Sequence, residues 1–323
     1  MKTSIKIIQY IEKVKEASAK QLTDYLEISE RAVFKQLAKL ITEGKLKKIG
    51  KPPKVFYKIN DEINDEKILL KANPLEAKQI EETFLYITPL GKYLVGLDGF
   101  VKWCEERDLD PNKQVKHYSK VLAEVYKNKT NKVIIATEKF VKSFEENFLT
   151  KVFYVDFYSI PQFGKTKLGQ LLLYAKQSQD KKRIREITDI TKGSIDYVIK
   201  KYRIDAIGYI PPTIKREVQF MKELEKNLNL TLPKITITKV KTEIIVPQKT
   251  LSKIKDRIAN AKNTIMIEER GIFKNVLLID DATGSGATLN ETAKKIITNK
   301  IAKNIYGLTI AGSYKGFDVI SEI

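Results

Sequence analysis

Cysteine and histidine are almost absent from this sequence. Its 323 residues include one cysteine, Cys104, and one histidine, His117. A single cysteine cannot form a disulfide within the chain, and it cannot supply a zinc site built from clustered cysteines. Because histidine is the other common ligand of transition metals, the sequence predicts no protein-bound metal centre.

Long apolar runs are also missing. A bilayer-spanning helix needs about 18 or more consecutive apolar residues, and no uninterrupted run in the sequence approaches that length. Charged side chains at Lys2, Lys6, Glu12 and Lys13 interrupt the amino-terminal segment too often for a signal peptide. From these absences we expect a cytoplasmic protein that does not contact a membrane.

Acidic residues are scarce relative to basic ones. The chain has 59 lysines and arginines against 40 aspartates and glutamates, which gives a formal net charge of +19. Such an excess favours a polyanionic partner such as nucleic acid. A generally lysine-rich composition explains the charge equally well, because the lysines are spread along the whole chain.

The first 60 residues predict three short helices and a β-hairpin. Ser18 and Ser29 are placed to cap the second and third helices. After the third helix, two strand-like runs flank a turn at residues 50–53 that contains glycine, lysine and two prolines, which predicts the hairpin. The apolar side of the third helix, which we expect to be buried, comprises Val33, Phe34, Leu37, Leu40 and Ile41.

This order of elements over residues 1–60 resembles that of winged helix-turn-helix DNA-binding domains. The segment carries 14 lysines and arginines against six aspartates and glutamates. We therefore expect double-stranded DNA as a partner, with the third helix in the major groove and the hairpin lysines on phosphates. A protein-interaction or dimerisation domain is the alternative. The residues expected to contact DNA are Arg31, Lys35, Gln36, Lys39, Lys47, Lys48, Lys51 and Lys54.

Residues 61–150 carry no motif with an evident chemistry. An acidic and polar segment at residues 60–66 marks the boundary with the hairpin. We interpret residues 61–150 as a helical connector. Its aromatic content suggests that it packs one subunit on another, in a homodimer.

Strand-like and helical runs alternate from residue 151 to residue 323. Such alternation predicts an α/β domain with a mostly parallel sheet flanked by helices. Four strands are expected, at residues 204–210, 235–240, 275–279 and 305–311. A helix is expected between the first two of them, at residues 214–228.

The run from Val276 to Thr288 holds the strongest functional signal. Four apolar residues lead to Asp280 and Asp281, and a glycine-containing loop then leads into a helix. Adjacent carboxylates at a strand end can accept hydrogen bonds from vicinal sugar hydroxyls, or share a divalent cation held by a diphosphate. The free N–H groups at the start of the helix favour an anion. A solvated turn before an ordinary helix is the alternative.

This run resembles the loop that binds 5-phosphoribosyl 1-diphosphate (PRPP) in type I phosphoribosyltransferases. The resemblance implies that Asp280 and Asp281 are a catalytic pair that holds the ribose hydroxyls. It also implies that the following loop binds the 5-phosphate and that Mg²⁺ is a cofactor that arrives with PRPP. The loop residues expected to bind the phosphate are Thr283, Gly284, Ser285, Gly286, Ala287 and Thr288.

Further segments resemble ComF-type proteins, so that the likeness covers about residues 151–311. Residues 158–176 match the entry region, and residues 205–220 match a strand that ends in a proline-containing loop. A mobile hood over the site is expected at residues 239–263. The pyrophosphate-binding residues implied by the likeness are Pro211, Pro212, Thr213, Lys215 and Arg216. The hood residues that match the family pattern are Gln248, Arg257 and Asn260.

Together these patterns predict a type I phosphoribosyltransferase-like α/β domain at 151–323, preceded by a winged helix and a helical connector. One function is a ComF-type phosphoribosyltransferase with a DNA-binding winged helix. Another is a non-catalytic transcription regulator with PRPP or a nucleotide as its effector, and a third is a DNA-handling accessory protein. No residue stands out as a base for the incoming nucleophile, which favours the regulator. The acid pair and the hood favour ligand binding under the first two functions.

Overall fold

The computed structural model describes residues 3–60, 70–130, 132–214, 216–240 and 242–314, without the side chains of Lys139 and Lys249. The chain divides into two compact units between Leu69 and Leu70. None of the helices in the described ranges has the length and apolar character that a bilayer crossing requires.

The first unit contains three helices and a hairpin. Ser18 caps the second helix in a capping box with Gln21, and Ser29 caps the third by accepting a hydrogen bond from the N–H of Ala32. Both predicted helix starts are therefore confirmed. The elements are α1 (Thr3–Val14), α2 (Ala19–Leu26), α3 (Glu30–Thr42) and the antiparallel strands β1 (Leu46–Lys51) and β2 (Lys54–Ile59).

The core of the first unit is small. Val33, Leu37 and Leu40 of α3 are buried in it, as predicted. The prediction was wrong for Phe34 and Ile41, which are 47% and 37% exposed. Successive helix residues are about 100° apart, so only a narrow stripe of α3 faces so small a core. Phe34 and Ile41 lie beyond the edge of that stripe.

The second unit contains the remaining elements. Its strands are β3 (Leu85–Ile87), β4 (Tyr93–Val95), β5 (Lys129–Thr130), β6 (Val133–Ile135), β7 (Lys151–Phe157), β8 (Ser159–Ile160), β9 (Gly164–Lys165), β10 (Ala206–Tyr209), β11 (Lys234–Lys239), β12 (Ile265–Glu268), β13 (Phe273–Thr283) and β14 (Ala302–Gly312). Its helices are α4 (Pro74–Thr83), α5 (Gly96–Glu105), α6 (Pro111–Val125), α7 (Thr137–Val141), α8 (Lys167–Ser178), α9 (Lys181–Lys201), α10 (Phe220–Leu228), α11 (Ile254–Thr264) and α12 (Ala287–Thr298).

Eight of these strands form one sheet, in the order β12-β11-β10-β13-β14-β7-β6-β5. The five strands from β11 to β7 are parallel. The strands β12, β6 and β5 pair antiparallel at the two edges. The unit is thus mixed α/β with a mostly parallel sheet, as the alternation of strand and helix predicted.

Strand β13 lies in the middle of the sheet and is covered on both faces. Val276 and Leu278 belong to one hydrophobic core, and Leu277 and Ile279 belong to the other. Successive side chains of a strand point to opposite faces, so an unbroken apolar run supplies both cores at once. Helix α12 packs on the first face, and α8 to α10 pack on the second. The strand end that carries Asp280 is therefore held rigidly.

The predicted connector at residues 61–150 differs from the structure. Residues 61–69 lie outside the described residues, and the rest belongs to the same compact unit as the sheet. Strand β6 pairs with β7, and its residues Val133 and Ile134 are 1% and 3% exposed. This segment therefore completes one edge of the sheet, because pairing satisfies the backbone groups that the edge of β7 would otherwise expose.

Helix α10 begins at Phe220, six residues later than predicted. Pro211 and Pro212 precede the intervening loop, and proline disfavours helical conformation in the residue before it. The N–H of Val218 donates a 2.9 Å hydrogen bond to the side chain of Gln179, which replaces a bond within a helix. The longer loop places residues 211–214 and 216–219 beside the carboxyl end of the sheet.

Candidate functional site

Strands β10 and β13 are neighbours in the sheet. From β10 the chain continues to β11 on one side of this pair, and from β13 it continues to β14 on the other side, so the strand order reverses between β10 and β13. In open α/β sheets, ligands bind outside the carboxyl ends of the strands at such a point. A cavity of about 280 Å³ opens there. Its walls come from the loops after β10 and β13, the end of β11 and one side of α8.

Asp280 and Asp281 line this cavity from the last residues of β13, which continues to Thr283. The backbone N–H of Asp281 donates to Oδ1 of Asp280 at 2.8 Å. Lys176, at the end of α8, donates from Nζ to Oδ2 of Asp281 at 2.7 Å. The two carboxylates are therefore held by the strand and are approached by a lysine from the neighbouring helix.

The acid pair carries less than two full negative charges near neutral pH. Burial and the negative charge of Asp281 raise the pKa of Asp280 to about 7, although Lys176 and Lys239 act against the shift. Burial also lowers the pKa of Lys239, against the attraction of Asp280. A ligand that brings hydroxyl donors or a cation to Asp280 stabilises its ionised form.

The loop after the acid pair leads into α12 through Gly286. This glycine has φ of +81°, and a Cβ at this position would overlap the ring of Phe140, so the close packing requires glycine. Gly286 occupies the N-cap position of α12 and offers no side chain to it. Ser285 accepts a 3.3 Å hydrogen bond from the N–H of Ala287. Thr288 and Leu289 of the first turn also line the cavity, and free N–H groups at a helix start favour an anion.

Two hydroxyl groups of cavity-lining residues are buried without a hydrogen-bond partner within the described part of the chain, those of Thr283 and Tyr158. Their side chains are 3% and 4% exposed. Buried polar groups are almost always hydrogen-bonded in folded proteins. Among the described residues the hydroxyl groups of Tyr209 and Thr309 have no partner either, and they do not line the cavity, so this feature alone does not identify a ligand site.

The loop after β10 forms the opposite wall. Pro211, Pro212, Thr213 and Arg216 line the cavity, whereas Lys215 lies outside the described residues. Lys239, at the end of β11, donates from Nζ to Oγ1 of Thr213 at 2.7 Å. The predicted pyrophosphate loop and the predicted phosphate loop thus face one cavity.

The three predicted hood residues contact one another. Gln248 donates from Nε2 to the backbone oxygen of Arg257 at 2.9 Å and to Oδ1 of Asn260 at 3.2 Å. Arg257 donates from Nε to the backbone oxygen of Leu251 at 2.7 Å. Gln248 and Arg257 also line the cavity, whereas Asn260 does not. Much of the expected hood is regular structure, because α11 begins at Ile254.

Sequence reasoning missed Lys176 and Lys239 as members of the site. Lys176 lies about 100 residues before the acid pair in the sequence, and their contact arises from the packing of α8 on the sheet. Lys239 could have been predicted, because the carboxyl ends of neighbouring parallel strands meet at one edge of a sheet. Lys239 lies at the carboxyl end of the strand that the sequence predicts before β13, now β11.

No protein-family model matches the chain, and no curated protein matches it. Among solved structures, the chain is similar to a hypoxanthine phosphoribosyltransferase from Staphylococcus aureus. The match has 16% identity and a TM-score of 0.24, and it covers 41% of this chain and 65% of that one. A TM-score this low carries no argument about fold or function, so the site is interpreted from its own geometry.

That geometry suits a small polyanion that carries hydroxyl groups. Lys176, Arg216, Lys239 and Arg257 supply positive charge to the cavity. The acid pair supplies acceptors for hydroxyl donors, and the start of α12 supplies backbone donors. A phosphorylated sugar contains both kinds of group.

The first unit holds the residues predicted to contact DNA. Arg31, Lys35 and Lys39 are exposed on α3, and Gln36 is half-buried beside them. Lys39 lies 3.8 Å from Glu43, a separation at which an exposed ion pair contributes little. The basic row predicted on the third helix is therefore accessible.

In the hairpin, Lys47 lies directly opposite Lys58, and Lys51 lies directly opposite Lys54. All four belong to one face, because side chains alternate along each strand. Lys48 lies opposite Tyr57 and belongs to the other face. Like charges directly opposite each other destabilise a sheet, so the paired lysines favour an anionic partner for this face. Lys58, which also bonds Glu16 at 2.7 Å, was missed by the sequence analysis.

Proposed function

We propose that the second unit is a PRPP-binding, phosphoribosyltransferase-like domain and that the first unit binds double-stranded DNA as a winged helix. The observation that carries the first part is the acid pair at the end of β13, followed at once by a loop and the uncapped start of α12. The ribose diol and the 5-phosphate of PRPP match those two features in order.

In this proposal Asp280 and Asp281 accept hydrogen bonds from the two ribose hydroxyls. The 5-phosphate binds at the first turn of α12 and the loop before it, which follows Thr283 at the end of β13. The diphosphate lies against Thr213, Arg216 and Lys239, on the opposite wall. The ion pair with Lys176, which bonds Oδ2 of Asp281, then orients that carboxylate so that its other oxygen accepts from one hydroxyl.

Magnesium fits this site as a companion of the diphosphate. No cluster of three or more acidic, cysteine or histidine side chains that could hold a metal occurs within the described residues. Mg²⁺ commonly keeps several waters and binds through substrate phosphates with one or two carboxylates. The diphosphate would therefore hold the ion together with waters, and Asp280 and Asp281 are the carboxylates of this cavity that could assist. When bound, it neutralises charge on the diphosphate.

If the domain is a transferase, the bond between ribose C1 and the diphosphate breaks and a bond from C1 to the acceptor forms. The residues of this chain hold the ribose, neutralise the leaving diphosphate and exclude water. The second candidate is a regulator that senses PRPP without turnover. It is favoured by the cavity lining, in which Asp280 and Asp281 are the only carboxylates and histidine is absent among the described residues.

The DNA-binding part rests on the two basic surfaces of the first unit. The exposed row on α3 suits the major groove, where a recognition helix lies. The lysine pairs of the hairpin suit phosphates. With a basic DNA-binding unit in the same chain, binding of a phosphoribosyl ligand could regulate DNA binding.

Calorimetric titration with PRPP, with and without Mg²⁺, tests the second unit. We expect binding that Mg²⁺ tightens, and a loss of at least about tenfold in affinity in Asp280→Asn/Asp281→Asn, because hydrogen bonds to charged groups are worth about 1.5–3 kcal/mol each. Asp189→Asn, an exposed carboxylate of α9, is the matched control and should bind like the native protein.

Absence of PRPP binding would contradict both the transferase and the sensor. Diphosphate release over a panel of nucleobases separates the two, since a sensor releases none. Repeating duplex DNA binding with PRPP present tests whether the two units are coupled.

A further inference from the structure

The exposed side of α3 combines basic and apolar residues in one strip. Arg31, Phe34, Lys35 and Ala38 are all exposed and are connected by steps of three or four residues, which makes them neighbours on a helix surface. Ile41 extends the apolar edge by two turns from Phe34 and is 37% exposed. The first turns of α3 therefore present an apolar edge beside a basic row.

Phe34 is not accounted for by the packing of its own unit. Among the described residues it belongs neither to the core nor to the partly buried side chains that pack against it. Isolated apolar residues on a surface are ordinary. Here a phenylalanine, an alanine and an isoleucine share one edge of one helix, which is the arrangement expected of a contact surface.

The charges beside this edge decide which partner suits it. Lysine and alanine are depleted at the centres of protein–protein interfaces, and Phe34 has one of each as exposed neighbours, Lys35 and Ala38. The lysine pairs of the hairpin also favour an anion. On the floor of the DNA major groove, the apolar group that a side chain can reach is the 5-methyl group of thymine, which alanine and phenylalanine contact in known complexes.

We propose that Phe34 and Ala38 read thymine methyl groups in the major groove, so that the first unit prefers duplexes with thymine at the positions beneath α3. This inference rests on the proposed DNA binding by the first unit. Phe34 and Ala38 lie within the first three turns of the helix, and the amino-terminal part of a recognition helix is the part that contacts base edges. Arg31 and Lys35, in the basic row beside the apolar edge, hold the helix against the DNA backbone.

The test compares two 24-base-pair duplexes of the same alternating adenine–thymine sequence. In one of them, deoxyuridine replaces every thymidine, which removes only the methyl groups. The full-length protein is titrated into each duplex at fixed salt. We expect the native protein to bind the thymine duplex about fourfold or more tightly, since burying one methyl-sized group is worth about that factor. In Phe34→Ala the preference should fall clearly, and only the smaller contribution of Ala38 should remain.

Three further variants control the experiment. Lys35→Ala should weaken binding to both duplexes alike and keep the preference, because its contact is with phosphate. Phe34→Leu should keep part of the preference, because it retains an apolar side chain. Tyr25→Ala removes an aromatic residue of α2 that is 51% exposed, and it should leave the preference unchanged.

Equal binding of both duplexes by the native protein would overturn the methyl readout and leave the DNA-binding proposal standing. A preference that is unchanged in Phe34→Ala would remove Phe34 from the contact. No binding of either duplex would overturn the DNA-binding proposal and this inference with it. Sedimentation of the same variants tests whether the apolar edge is instead a dimer interface. A native dimer that becomes a monomer in Phe34→Ala, together with DNA binding that does not depend on the methyl groups, would assign the edge to a second copy of the chain.

Discussion

Asp280 and Asp281 are adjacent in the sequence and have different surroundings. Asp281 forms an ion pair with Lys176, whereas Asp280 is half-buried and accepts a hydrogen bond from the backbone N–H of Asp281. Burial disfavours the charged form of a carboxyl group, and a nearby like charge disfavours it further. The position of each carboxylate on the strand therefore sets its chemistry.

The raised pKa of Asp280 has a consequence for stability. An aspartate in an unfolded chain has a pKa of about 3.9, and in the folded protein that of Asp280 is about 7. Between those values the folded state holds a proton that the unfolded state lacks, so the free energy of unfolding falls as pH rises from about 4 to about 7. Above about pH 7 the ionisation of Asp280 lowers the free energy of unfolding no further.

Asp280→Asn removes this titration. We expect the variant to gain stability relative to the native protein as pH rises, by up to about 1.4 kcal/mol for each unit of the pKa shift. Urea unfolding at pH 5 and pH 8 measures the difference. Asp189→Asn should show no such pH dependence, and an Asp280→Asn difference that is equal at both pH values would contradict the assignment.

At the scale of elements, the hairpin illustrates a conflict between folding and function. Two pairs of lysines oppose each other across β1 and β2, an arrangement that costs stability. Among the ion pairs of the described residues, only the Lys47–Lys58 pair has a partly compensating carboxylate, because Glu16 forms an ion pair with Lys58. The retained repulsion between Lys51 and Lys54 is understandable if this face binds phosphates.

Lys54→Glu should therefore have opposite effects on folding and on binding. It replaces a repulsive cross-strand pair with an attractive one, and we expect the first unit to gain about 0.2–1 kcal/mol of stability. We also expect weaker duplex binding and a shallower dependence of the logarithm of affinity on that of salt concentration. Thermal unfolding and binding titrations at several salt concentrations measure both effects.

Lys54→Gln separates charge reversal from loss of charge, and it should lie between the native protein and Lys54→Glu in both measurements. Higher stability with unchanged DNA affinity and salt dependence would exclude the hairpin from the DNA interface.

At the scale of the whole molecule, the chain consists of two compact units with separate cores. The core of the first unit draws its members only from residues 7–57, and the two cores on either face of the sheet draw theirs from residue 80 onward. Units whose buried contacts are internal can fold independently. A domain of about 60 residues is only marginally stable, because it buries a smaller share of its surface than a larger one.

We expect a fragment of residues 1–69 to fold by itself with low stability, and a fragment of residues 70–323 to keep the full PRPP affinity of the chain. Circular dichroism with thermal unfolding tests the first statement, and calorimetry tests the second. Duplex DNA binding should stay with the shorter fragment. A short fragment without a cooperative transition, or a long fragment with reduced PRPP affinity, would mean that the units depend on each other.

The sequence by itself determined the features that depend on near neighbours. The helix starts at Ser18 and Ser29 follow from capping within three residues. The mostly parallel sheet follows from the alternation of apolar strands with helices. The order of acid pair, loop and helix from Asp280 to Thr288 is visible in the residues themselves, and the structure places all of them around one cavity.

Only the tertiary structure decided which distant residues meet. The approach of Lys176 and Lys239 to the acid pair depends on strand order and on the packing of α8, which no local period encodes. The exposure of Phe34 depends on the small size of the core on which α3 packs. The pairing of β6 with β7 depends on an edge that exists only once the sheet has formed. Periodicity specifies which face of an element is apolar, whereas the partner of that face is set by the energy of packing the whole unit.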